Sequence, residues 1–180
     1  PSGCHTLPEL RLVYRPDLPR TLDVLARSGG SIAEFLDRVA GSTKLGGADF
    51  QALTTLAMAA SYDPQPDHPF GIRLPVDPHT CELDEAAWQR WLAHDPLCMI
   101  DEPDCQAQLR SLFGLFLEVG SRDQYMLHYG ARALVRRLNA AHIEHVYEEF
   151  PDDHNNTDYR LDVSLPYLYA ALERGASPGA

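Results

Sequence analysis

The stretch from Leu112 to His154 constrains the fold more than any other, because it reads as strand, acidic turn, helix, strand and histidine turn in succession. Leu112-Phe113-Gly114-Leu115-Phe116-Leu117-Glu118-Val119 is a nearly unbroken apolar run, the pattern of a strand buried on both faces of a parallel sheet. It ends at Gly120-Ser121-Arg122-Asp123. A helix from about Tyr125 to Ala141 comes next, with Leu127, Ala131, Leu134, Val135 and Leu138 at i, i+4, i+7, i+8 and i+11 on one stripe. A second strand, about Ile143 to Glu148, succeeds it. A right-handed crossover sets the two strands parallel, so Asp123 and His154 both leave the sheet at its carboxyl edge, where open α/β sheets place their sites.

An acid after one strand and a histidine after the next is the second half of the order Ser, Asp/Glu, His on α/β-hydrolase sheets. A neutral imidazole takes a proton from a hydroxyl near pH 7. A carboxylate on its other nitrogen fixes the tautomer and stabilises the imidazolium that forms. On Phe116-Leu117-Glu118-Val119-Gly120-Ser121-Arg122-Asp123, on Tyr147-Glu148-Glu149-Phe150-Pro151-Asp152-Asp153-His154 and on Ser164-Leu165-Pro166, the chain resembles the C-terminal part of a serine esterase of the α/β-hydrolase superfamily. The resemblance covers roughly residues 110 to 172 well and the earlier part more loosely. It implies Asp123 as the triad acid and His154 as the base. The chain departs from the family pattern at Asp152-Asp153, where small residues usually precede the histidine.

The nucleophile is missing from this pattern. No G-x-S-x-G elbow occurs in the 180 residues. Ser31, in Ser28-Gly29-Gly30-Ser31-Ile32, precedes a helical pattern but has no strand before it, and a serine at a helix start is ordinarily an N-cap. Ser2 and Cys4 stand at the extreme start. Only two convincing strands are visible, too few to close a doubly wound sheet, so the expectation is a fragment lacking the N-terminal half of the same fold. Pro1 begins the sequence without an initiator Met or a basic-then-apolar leader, which leaves the compartment open between cytoplasm and secretion.

The net charge of -11 argues against a nucleic-acid partner, whose backbone is bound through clustered Lys and Arg. Arg132, Arg136 and Arg137 form one dense basic cluster, read as the solvated face of the crossover helix. No apolar run approaches the ~18 residues of a membrane span. Cys4, Cys81, Cys98 and Cys105 are too few and too irregular for a disulfide framework, although a single Cys98–Cys105 bridge is compatible with an oxidising compartment. His142 and His145, three apart at a strand entrance, point to opposite faces, which weakens a metal reading with His154, Asp152 and Asp153.

Elsewhere the chain divides by composition. Residues 1–20, with Pro8, Pro16 and Pro19, read as extended loop. Residues 21–96 carry helices and prolines but no sheet-like strand, the composition of a helical cap. Within them Thr21 to Arg27 is a short helical or edge segment, Ser31 to Val39 a helix, Asp49 caps a helix to about Tyr62, residues 63–79 are proline-rich, and Asp84 caps a helix with Trp88, Trp91 and Leu92. Those tryptophans, Phe35 and Met58 are either pocket walls or the fastening between cap helices, and fastening is the preferred reading. Residues 97–175 hold a short helix from about Pro103 to Arg110, the strand–helix–strand unit and a last helix from Tyr159 to Leu172. That helix carries Leu161, Leu165, Leu168 and Leu172 as a stripe fit to cover the sheet, and a kink at Pro166. Residues 176–180 are a frayed tail.

The expected fold class is therefore α/β: the C-terminal part of an α/β-hydrolase fold, its last two parallel strands with crossover helices, preceded by a helical cap. The resemblance implies hydrolysis of a carboxylic ester through an acyl-enzyme, with Asp123 and His154 present and the serine absent. No cofactor and no metal are called for, and the partners are a small-molecule ester substrate and the missing N-terminal half. The alternatives are a non-catalytic interaction protein on a degenerate hydrolase scaffold and, more remotely, a self-contained α+β binding domain.

Overall fold

The computed structural model describes residues 17–176. Ser2, Cys4, most of the N-terminal loop and nearly all of the tail lie outside the described residues. The chain divides into two compact units, one ending at Asp95 and the other taking up at Pro96.

The first unit is helical. α1 (Asp17–Arg27) begins four residues inside the stretch that reads as loop, because Asp17 supplies the acidic first turn and Pro19 sits within that turn, where a missing N–H costs nothing. α2 (Ile32–Ala40) starts at Ser31. The Ser31 hydroxyl accepts the Glu34 N–H at 3.1 Å and donates to the Glu34 carboxylate at 2.9 Å, a side-chain N-cap. α3 (Gly47–Tyr62) is capped by Gly46 rather than by Asp49, whose carboxylate turns instead to the Arg38 guanidinium. α4 (Glu85–Leu92) is capped by Asp84, which accepts the Ala87 N–H at 3.0 Å. Between α3 and α4 the proline-rich segment makes one isolated antiparallel bridge, Val76 to Leu83. Phe35, Trp88 and Trp91 are fully buried, so in this unit they are core. Truncating any of the three to alanine costs about 3–5 kcal/mol.

The second unit is mixed helix around a two-stranded parallel sheet. α5 (Pro96–Met99) and α6 (Pro103–Arg110) lead into β1 (Phe116–Gly120), α7 (Leu127–Ala140) crosses over, and β2 (Val146–Phe150) pairs with β1 from Phe116↔Val146 to Gly120↔Phe150. β1 is shorter than its apolar run suggests. Leu112 and Phe113 are more than half exposed, and pairing starts only where Val146 donates to the Leu115 carbonyl. β2 likewise starts three residues later than its pattern suggests. His142 takes a left-handed conformation (φ 53°) and the Ile143 N–H returns to the Leu138 carbonyl, so Ile143 closes the helix and joins the core with Leu138 and Ile100. Leu117, Leu134 and Leu109 pack against that core.

The two sheet faces are dressed differently. Leu117, Val119, Tyr147 and Glu149 share the face toward α7, where Arg132 pairs with Glu149. Phe116, Glu118, Glu148 and Phe150 share the other face. Against it lies α8 (Leu161–Ala176), entered through a 3-10 turn at Thr157–Arg160. α8 runs antiparallel to β1: Arg160 meets Glu118, Tyr167 meets Phe116, and Gly114 abuts Ala171. The residues of α8 that are buried are Ser164 and Ala171. The leucine stripe does not cover the sheet: Leu161, Leu165, Leu168 and Leu172 are all exposed, the last at 67%. At 100° per residue they sit about a quarter turn from the Arg160–Ser164–Ala171 side, which the Arg160 ion pairs and the close approach at Gly114 hold against the sheet.

Two further sequence expectations are corrected. Cys105 is a free thiol, so no Cys98–Cys105 bridge forms, and Cys98 is itself disulfide-bonded. Of the basic cluster on α7, Arg132 and Arg136 are exposed, as a solvated face requires, and Arg137 departs from it. Arg137 is only 20% exposed and donates to the Leu97 carbonyl and the Asp101 carboxylate, pinning α5 to α7.

Candidate active site

β1 and β2 end side by side, and the loops that leave them are stitched together by backbone bonds. Ser121 N–H donates to the Phe150 carbonyl at 2.8 Å and Arg122 N–H to the Asp152 carbonyl at 2.9 Å. The Arg122 guanidinium reaches the Pro151 carbonyl. Gly120 permits this approach, because a Cβ there would collide with the carbonyl oxygens of both Asp152 and Asp153.

Asp123 stands at the turn between β1 and α7 and is buried, 3% exposed. One carboxylate oxygen, Oδ1, accepts the Tyr125 N–H at 2.8 Å and receives the Leu127 N–H at 3.5 Å, so the acid organises the start of its own helix. The other, Oδ2, lies 2.8 Å from His154 Nδ1. The acid and the histidine singled out by the strand pattern, 31 apart in the chain, are thus brought into hydrogen-bond contact. Glu118 and Glu149, the other acids near the strand ends, are committed elsewhere: Glu118 to Arg160, Glu149 to Arg132 and Tyr147.

His154 differs from its partner in exposure, its side chain being 47% accessible against 2% for that of Asp123. With Nδ1 turned to the carboxylate, Nε2 is the ring nitrogen that carries no hydrogen bond among the described residues. A cavity of about 360 Å³ opens beside the pair, its apolar lining including Leu117, Val119, Leu127, Leu134 and Phe150 and its polar lining Glu118, Asp123, Asp153, His154 and Thr157. The two acids before the histidine serve the turn: Asp152 accepts the Asp153 N–H at 2.9 Å and the Tyr159 hydroxyl at 3.1 Å, and Asp153 accepts the Asn155 N–H at 2.7 Å.

Two neighbours are not legible in the sequence as site residues. Gln124 Oε1 accepts the His154 backbone N–H at 3.1 Å, and the Tyr125 ring meets the imidazole nearly perpendicularly, centroids 4.9 Å apart. Their one signal in the sequence is adjacency to Asp123. Among the described residues no hydroxyl or thiol is hydrogen-bonded to His154. Ser31 acts as a helix cap.

Beside the site, β2 carries a charged cluster. The Arg132 guanidinium, assisted by the Tyr147 hydroxyl, holds the Glu149 carboxyl down at about 2 against the opposing effect of burial. Burial first, and the hydrogen bond to Glu149 second, push the Tyr147 phenol up to about 12.

No protein-family model matches the chain, and no curated protein matches it.

Proposed function

We propose that this chain is the acid- and base-bearing part of a carboxylic-ester hydrolase, an α/β-hydrolase-type serine esterase. Asp123 orients His154, and His154 activates a serine supplied by polypeptide outside this sequence. The observation that carries the proposal is the 2.8 Å contact from a buried carboxylate to the Nδ1 of a half-exposed histidine at the carboxyl edge of two parallel strands.

In the forward step, His154 Nε2 takes the serine proton as the serine oxygen attacks the ester carbonyl. Asp123 keeps Nδ1–H pointed at itself and stabilises the imidazolium. The proton then passes from Nε2 to the departing alcohol, and water repeats the sequence on the acyl-enzyme. The oxyanion donors belong with the serine. No cofactor enters these steps.

A serine-bearing segment of this kind would need a strand edge to pair with. The backbone of β1 is bonded to β2 through its odd-numbered residues, as Leu115 and Ser121 mark at either end, so Phe116 and Glu118 turn their N–H and C=O groups to an edge that, among the described residues, no strand covers. With a right-handed crossover, the quarter turn on α8 directs the leucine side toward that same open edge. A further parallel strand beside β1 would end at the cavity, bringing the loop at its carboxyl end within reach of His154.

The test is enzymatic. The chain alone turns over p-nitrophenyl acetate no faster than its His154→Ala variant. Joined to an upstream reading frame bearing G-x-S-x-G between a strand and a helix, it hydrolyses the ester, and Asp123→Asn or His154→Ala lowers kcat by about 10⁴-fold. A joined protein whose turnover ignores both substitutions rules the proposal out.

A further inference from the structure

We infer that Tyr125 is a positioning residue for the histidine, holding the His154 imidazole against Asp123 through a ring-on-ring contact. This rests on the Asp123–His154 reading and extends it to how a half-exposed base is kept in one orientation.

The need arises from exposure. A side chain 47% accessible and held by a single 2.8 Å hydrogen bond has solvent on its open side and two torsions free to carry it there. Three contacts from the acid's own loop oppose that motion. Gln124 Oε1 accepts the His154 N–H at 3.1 Å and fixes the backbone from which the ring swings. Asp123 fixes Nδ1. Tyr125 packs against the ring, its plane 81° from that of the imidazole at 4.9 Å between centroids, the perpendicular arrangement aromatic rings favour. Tyr125 is itself placed by the acid, since its N–H donates to Asp123 Oδ1 at 2.8 Å. One carboxylate therefore binds the histidine with one oxygen and, with the other, locates the ring that braces it. The phenol hydroxyl takes no part in this, so phenylalanine should serve as well.

The contact can be tested on the chain as it stands, without a serine, by ¹⁵N NMR of His154 at a pH where the imidazole is neutral. Two quantities are read: the share of the Nδ1–H tautomer and the solvent exchange rate of that proton. The wild type should show predominantly the Nδ1–H tautomer with a slowly exchanging proton. Tyr125→Phe should match it. Tyr125→Ala should exchange at least about tenfold faster, equivalent to ~1.4 kcal/mol of lost protection. Tyr125→Leu, which keeps bulk without an aromatic ring, should do the same and replaces the alanine variant should that one unfold by circular dichroism. Asp123→Asn is the reference for complete loss.

Unchanged exchange in both Tyr125→Ala and Tyr125→Leu, with Asp123→Asn still abolishing protection, overturns the role of Tyr125 and leaves the acid–base pair standing. Loss in Tyr125→Phe as well overturns the ring contact in favour of the hydroxyl. A wild type with no protected Nδ1–H overturns the pair itself.

Discussion

At the scale of single residues, both glutamates of β2 are held by arginines from the flanking helical segments, Glu149 by Arg132 and Glu148 by Arg160. Glu149 and Tyr147 give this a pH signature. Glu149 has its pKa lowered to about 2 from 4.5, so the stability it contributes is present above about pH 4.5 and drains away as the pH falls toward 2. Tyr147 is shifted the other way, from 10.0 to about 12, so its contribution is complete below about pH 10 and is lost on rising toward 12. Urea denaturation across pH should show decline in both windows, and Arg132→Met should flatten the acid one. An acid limb identical in that variant would remove Arg132 as its cause. Gly120 is the second residue with a sharp expectation. Alanine there forces a methyl into two backbone carbonyls, and the strand end must part from the histidine loop at a cost of about 2–3 kcal/mol. Asp123 and His154 are legible in the sequence because their chemistry and their place after strands coincide. Gln124 and Tyr125 are not, since nothing in a glutamine or a tyrosine says which backbone or ring it will meet.

At the scale of elements, the helices are legible where a cap or a stripe marks them and obscure where packing decides. Ser31 and Asp84 cap as their side chains suggest. α8 departs from its pattern in orientation: the leucine period is real, but it does not mark the sheet-facing side. Arg160 decides that side. Its guanidinium bridges Glu118 and Glu148, which stand opposite each other in the pairing register and would otherwise repel, and it covers the Phe150 ring at 4.7 Å. Arg160→Ala leaves two neighbouring carboxylates without their cation. The expected cost is about 2 kcal/mol, below the range for a fully buried pair because Glu148 is 43% exposed. In a double variant with Glu148→Gln, part of that loss should return. By contrast, Leu165→Ser and Leu168→Ser together should leave the unfolding midpoint of the lone chain nearly unchanged, since both side chains already meet water.

At the scale of the molecule, the two strands present unlike edges. β2 carries Tyr147, Glu148 and Glu149, the kind of charge that natural edge strands use against unwanted pairing. β1, with Phe116, Leu117, Val119 and Gly120 and a lone carboxylate already engaged by Arg160, has the sequence of an interior strand. Apolar patterning therefore announces the strand correctly and its burial incorrectly: among the described residues β1 is paired on one side only, and most of its residues are half-buried. Hydrogen exchange on the lone chain should separate the two directions, with the Leu117 and Val119 amides protected by β2 and those of Phe116 and Glu118 exchanging far faster. Equal protection of all four would mean that the open edge is covered in solution. The β1 edge lacks that protection and the α8 leucines beside it are exposed, so light scattering should find the lone chain aggregating at concentrations where the Leu165→Ser, Leu168→Ser variant stays dispersed.

The backbone bonds that join the loop after β1 to the loop after β2 also decide how this site can fail. Ser121 and Arg122 hold the histidine loop by main-chain donors, and Gly120 removes the side chain that would keep the two apart. A fluctuation that releases one loop must release the other, so acid and base open as one cooperative unit. Heating or mild denaturant would then part the two loops in a single step, so that loop opening by itself leaves no population in which a loosened histidine loop remains beside an intact acid loop.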